Sequence, residues 1–253
     1  MNSKQKWIYH GLLIIFLISI FIFGLVRATN EYRWSGWAPG DAQTLIAAHH
    51  FADEGFLKHG FNTYYLPGYV GSSYMVDGYY SHSPPFYAIV NGVILKSGGE
   101  RFTCQSFSIF LSCLALLFWY IFAGYFFKRN VALLSTIFIG LSVVFLEHMD
   151  GLSPQTYDIP LVFSAIALFA ALEHAGLWRE RNNLRKLAFV GVWFLVFLQS
   201  FNTYEYIIYL QLFFLGYYFL KKEKPFPISK MVFFIAAPVI GFTLHFMQWA
   251  WAE

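Results

Sequence analysis

Long apolar stretches alternate with short polar ones along this chain. Nearly uncharged runs cover residues 7–26, 107–127, 131–146, 159–178, 187–201, 206–220 and 231–251. A helix rising 1.5 Å per residue needs about 17–25 residues to cross the hydrocarbon of a bilayer, so the pattern predicts seven transmembrane helices. The runs starting at 131, 187 and 206 are the shortest and are expected to borrow flanking Tyr, Gln and Asn. A further stretch, "FYAIVNGVILKSGG" at 86–99, has the length of an interfacial or re-entrant helix and is also a candidate for an eighth span.

Charge decides between these topologies. If 86–99 does not cross, twelve Lys and Arg fall on the side of the N-terminus and five (Arg27, Arg33, Lys58, Lys96, Arg101) on the other. If it crosses, the later segments invert and the split becomes four against thirteen. Cytoplasmic loops carry the excess of basic residues, which selects seven spans with the N-terminus inside and the C-terminus outside. Only Glu173, Glu180 and Glu223 among the acids are then cytoplasmic, so the chemistry is expected outside. The basic start followed by a long apolar run reads as a retained signal anchor.

Composition agrees with an all-α integral membrane protein: of 253 residues, 58% are hydrophobic and 12% charged. A net charge of +3 with no basic block excludes nucleic acid as a partner. Cys104 and Cys113, nine positions apart on one helix, are separated by about 13 Å, too far for a disulfide.

The whole chain, 1–253, reads as one module with a long external loop at 27–106. This loop is expected to hold a helix near 41–58, a Gly- and Tyr-rich turn region, and a short interfacial helix after Pro84-Pro85. Two acids at the boundary stand out. Asp41 opens the first external helix and Asp158 sits where the chain re-enters the membrane. A half-desolvated carboxylate there can serve as a general base. Both positions also suit an N-cap, with Pro160 in the first turn after Asp158. Glu147 and Asp150 read as solvated surface acids.

His49, His50, His59 and His82 show none of the recognised zinc spacings. Pro84-Pro85 fixes the backbone beside His82, where it suits an anionic headgroup or is simply a surface histidine. Arg33, Lys96 and Arg101 suit a phosphate and equally ordinary lipid heads. Trp34, Trp37 and the tyrosine pairs read as interfacial belt residues, a type that also stacks on sugar rings.

The order of these features resembles the GT-C membrane glycosyltransferases, in particular the protein O-mannosyltransferase and aminoarabinose transferase-like branch. The likeness runs through Gly40-Asp41, a helix ending in "ADEGF", the Pro-Pro helix, and "TYD" at 156–158, which is similar to the "SYD" of oligosaccharyltransferase catalytic subunits. It implies transfer of a sugar from a polyprenyl-phosphate donor to a lipid, glycan or protein acceptor on the extracytoplasmic face, with membrane lipids around it. Asp41 matches the family's first-loop catalytic carboxylate and Asp158 the acid of the second external loop, which orients the acceptor or assists through a divalent cation. His82 and Arg101 stand where the donor phosphate binds, and Tyr157 and Trp37 where the acceptor or sugar is contacted. The family's Asp-Glu pair is Asp41-Ala42 here, its Lys before Pro-Pro is Ser83, and its relatives continue past the seventh span. The short loops suggest a bacterial inner membrane. A lipid-linked-sugar transporter and a noncatalytic scaffold built on the same module are the rival readings.

Overall fold

The computed structural model describes residues 3–30, 38–58, 60–64, 75–76, 79–80, 84–174, 183–221 and 228–252. The helices in chain order are α1 (Ser3–Ala28), α2 (Ala38–Glu54), α3 (Phe86–Lys96), α4 (Arg101–Phe126), α5 (Arg129–Gly140), α6 (Val143–His148), α7 (Pro154–His174), α8 (Asn183–Ser200), α9 (Glu205–Lys221) and α10 (Ile228–Ala252). Three two-residue strands, β1 (Thr63–Tyr64), β2 (Met75–Val76) and β3 (Tyr79–Tyr80), pair antiparallel in the order β1-β3-β2.

Among the described residues, four helical stretches are long and apolar enough to cross a bilayer: Trp7–Ala28, Arg101–Phe126, Pro154–His174 and Met231–Gln248. They carry outward-facing Trp7, Ile15, Phe110, Val239 and Phe246, residues that suit a hydrocarbon surrounding. The chain is an all-α membrane protein by this measure. The apolar parts of α5 and α8 are shorter. The run at 131–146, expected as one helix, is two. Leu141 ends α5, and the Ser142 hydroxyl accepts the Phe145 N–H at 3.3 Å, capping α6.

Contacts between helix ends show how the elements alternate. Where α7 begins, the last turn of α1 meets the loop after α6 through Arg27 and Asp150. At the same end the Cys104 thiol at the start of α4 donates to the Asn91 carbonyl of α3, and Asn202, just after α8, donates to the Pro154 carbonyl at 2.9 Å. Where α7 finishes, His174 stacks on Tyr125 of α4, Glu173 pairs with Lys221 of α9, and His10 of α1 meets Arg129 of α5. Spans that follow one another in the chain therefore alternate in direction, α4 and α7 pack side by side in the same direction, and α2 and α3 lie at the end where α7 begins.

Packing explains why α3 stays there. It has 11 residues, about 16 Å of helix, too short to cross unaided. Its Phe86 N–H donates to the Phe201 carbonyl at 3.3 Å, and it lies close against α2. Gly92 permits that approach: a Cβ there would stand 2.8 Å from Phe51 Cβ and 3.2 Å from the Ala48 carbonyl. Ala47, Phe51, Tyr87, Ala88 and Tyr157 are the buried residues of this layer. Burying a side chain such as Phe51 contributes about 1.5–3 kcal/mol, so the α2–α3 layer is anchored by its own small core. A larger core centred on Phe169, Phe214 and Phe234 joins α7, α8, α9 and α10.

Candidate functional site

Asp41 lies in the first turn of α2 but does not cap it, since the helix already begins at Ala38. Its carboxylate reaches across to the head of α7. Oδ1 accepts the backbone N–H of Leu152 at 2.8 Å and of Ser153 at 3.0 Å. These are donors that a helix start leaves without intrahelical partners, and a carboxylate is the strongest acceptor for them. The residue is 1% exposed. Asp41 is thus not the cap of its own helix expected from the sequence: its carboxylate holds the two residues, 111 and 112 positions away, that lead into α7.

Asp158 is not a cap either. It is the fifth residue of α7, which begins at Pro154, and Pro160 lies inside the helix rather than in its first turn. Its side chain is fully buried, and Oδ1 accepts three hydrogen bonds: Gln199 Nε2 at 2.6 Å, Asn202 Nδ2 at 2.8 Å and Thr203 Oγ1 at 2.8 Å. A carboxylate only accepts, so both amides turn their nitrogens toward it and their oxygens away. Asp158 Oδ2, Gln199 Oε1 and Asn202 Oδ1 are buried without a hydrogen-bond partner among the described residues.

The loop between α6 and α7 is held from the other side by Arg27. Its Nε and Nη2 bind Asp150 Oδ2 and Oδ1 at 3.0 and 2.6 Å, and both side chains are under one-tenth exposed. Asp150, expected as a solvated acid, is therefore half of a buried bidentate ion pair. Nothing near it in sequence signals this, because its partner lies 123 positions away. Glu147 is exposed as expected.

Tyr157 is 1% exposed and meets the Phe86 ring edge to face, with centroids 6.2 Å apart. Arg101 is the first residue of α4 and is half-buried. Trp37 and His82, like His59 and Arg33, lie outside the described residues. The structure thus gathers Asp41, Tyr157 and Asp158 at the head of α7. His50 bonds Glu54 at 2.7 Å and meets the Tyr64 ring. Among the described residues, no group of three or more His, Cys, Asp or Glu is placed to hold a metal. Asp158 Oδ2 is the one carboxylate oxygen there left without a hydrogen bond among the described residues, and a carboxylate oxygen suits hard cations such as Mg²⁺ and Ca²⁺.

Sequence reasoning missed Gln199, Asn202 and Thr203. The signal was present: "QSFNTYE" at 199–205 is a polar island between two apolar runs, with three hydrogen-bonding side chains where a plain turn needs none. Against protein-family models, curated proteins and solved structures, the chain finds no match.

Proposed function

We propose that this chain is a membrane glycosyltransferase of GT-C type, moving a sugar from a polyprenyl-phosphate donor to an acceptor hydroxyl on the extracytoplasmic face. One observation carries the reading: Asp41, from the long first loop, bonds to the two residues that lead into α7, and Asp158, from the second, lies in the first turns of that helix. The GT-C resemblance assigns chemistry to these two acids, and both are tied to the start of α7 although they are far apart in the chain.

In this reading the seven spans are α1, α4, α5 with α6, α7, α8, α9 and α10. Arg129, Lys186 and Lys221 face the cytoplasm, and the head of α7 faces outward, as the positive-inside rule favours. Asp41 removes the proton from the acceptor hydroxyl. The acceptor oxygen bonds to the anomeric carbon, the bond from that carbon to the phosphate oxygen breaks, and the polyprenyl phosphate leaves with the electron pair. Arg101, with His82 from the same loop, offsets the charge that grows on the phosphate. Asp158 orients the acceptor, and Tyr157 and Trp37 flank the sugar. A divalent cation would be met at Asp158 Oδ2, and would supply positive charge for the leaving phosphate. Because Asp41 is buried, turnover requires the cover over it to move.

The test is transfer from a panel of polyprenyl-phosphate sugars in membranes expressing the chain, with Asp41→Asn at matched level. Loss of the base lowers turnover by about 10²–10⁴-fold. A noncatalytic scaffold is the second reading, favoured by the two backbone N–H groups that occupy Asp41 Oδ1. Asn keeps an oxygen for those donors, so the scaffold reading expects an unchanged melting temperature and no transfer from either protein.

A further inference from the structure

Arg27 belongs to no step of the reaction proposed above, yet its guanidinium makes four hydrogen bonds to the loop before α7. Besides the two bonds to Asp150, its Nη2 donates to the Glu147 carbonyl at 3.1 Å and its Nη1 to the Leu146 carbonyl. A buried ion pair contributes little net stability compared with two apolar side chains of similar volume, so stability alone does not account for it. What the guanidinium does supply is geometry: a planar fork that fixes one carboxylate and two carbonyls at once.

The fixed segment leads straight to Asp41. Further bonds hold it: Gly151 N–H to the His148 carbonyl at 3.0 Å, Thr156 Oγ1 to the same carbonyl at 2.9 Å, and Ser112 Oγ to the Met149 carbonyl at 3.1 Å. The next two residues, Leu152 and Ser153, point their N–H groups at Asp41 Oδ1. Arg27 and Asp41 flank the same short linker and grip the same loop from two sides.

We infer that Arg27 is a positioning residue for Asp41: acting through Asp150 and the 146–153 backbone, it sets where the Asp41 carboxylate sits at the head of α7. The inference rests on the reading of Asp41 as the base. Lysine in its place keeps the charge but not the fork, so it loosens the loop without removing the ion pair.

The experiment measures hydrogen exchange at the Leu152 and Ser153 amides of the full chain in lipid nanodiscs, with sugar transfer measured in parallel. The proteins compared are the wild type, Arg27→Lys, and a double variant carrying Arg27→Met with Asp150→Leu. The double variant replaces the pair by apolar groups and keeps the test alive should the single one fold poorly. In both variants the two amides are expected to exchange about tenfold faster, while those in the middle of α7 do not change. Misplacing the base lowers kcat by about a hundredfold with KM unmoved. Unchanged exchange at Leu152 and Ser153 overturns the proposal, and so does wild-type kcat in variants whose exchange has risen. Faster exchange with no transfer by the wild type from any donor supports the hold of Arg27 on the loop and overturns the catalytic reading of Asp41.

Discussion

Where α7 begins, carboxylates bond to backbone N–H groups, to neutral amides and to a buried guanidinium; where α7 finishes, Glu173 bonds to the hydroxyl of buried Tyr218 and to a lysine that reaches water. Asp41, Asp150 and Asp158 are all buried and joined to partners more than 40 positions away. At the other end Glu173 accepts from Tyr218 and from Lys221, whose side chain is 38% exposed. A flexible ammonium can follow a moving carboxylate, whereas a backbone N–H cannot. The first arrangement fixes loop geometry, and the second only fastens two helix ends.

Breaking this contrast is expected to show largest at Arg27. Arg27→Met leaves Asp150 buried without its cation, which costs about 3–5 kcal/mol and lowers the melting temperature in detergent more than any other change named here. Next comes Asp41→Ala, which removes the acceptor for Leu152 and Ser153. At about 1–2 kcal/mol for each orphaned donor it costs about 2–4 kcal/mol, and Asp41→Asn costs much less in the same melt. Gly241→Ala sharpens the comparison by testing packing rather than charge. Its Cβ would stand 2.0 Å from Ser200 Oγ and 3.0 Å from Ser200 Cβ, beside the turn that holds Asp158. Such overpacking costs about 1–3 kcal/mol. Smallest is Lys221→Ala at the opposite end, about 1 kcal/mol, because the buried Glu173 carboxylate keeps the Tyr218 hydroxyl when the partly exposed ammonium is lost. A Lys221 effect as large as that of Arg27 would erase the distinction between the two ends.

Elements read from local pattern came through best. The apolar runs opening at 7, 107, 159 and 231 begin within α1, α4, α7 and α10, because twenty or so apolar residues have few alternatives to helix even where Pro160 and Pro238 interrupt them. The run at 131–146 did not stay whole, since Ser142 offers a hydroxyl cap that composition conceals inside an apolar stretch. The acids were found, but their partners were not. Asp41 and Asp158 carry the residue types of caps, and a cap is ordinarily sought on the adjoining helix. Here the acceptors serve Leu152, Ser153, Asn202 and Gln199, which only the tertiary fold brings near. Asp150 misled for the same reason: next to Gly151 it looks solvated, and Arg27 is invisible from there.

The bond from Asp41 to Leu152 also sets a schedule. With 111 residues between donor and acceptor, and synthesis at about 5–20 residues per second, the acid emerges about 6–22 seconds before the amide it will grip. A lone carboxylate does not settle in hydrocarbon, so through that interval the start of α2 has to remain in water. Only when α7 enters can the loop close down onto the bundle, and the first loop to be made is among the last to be fixed.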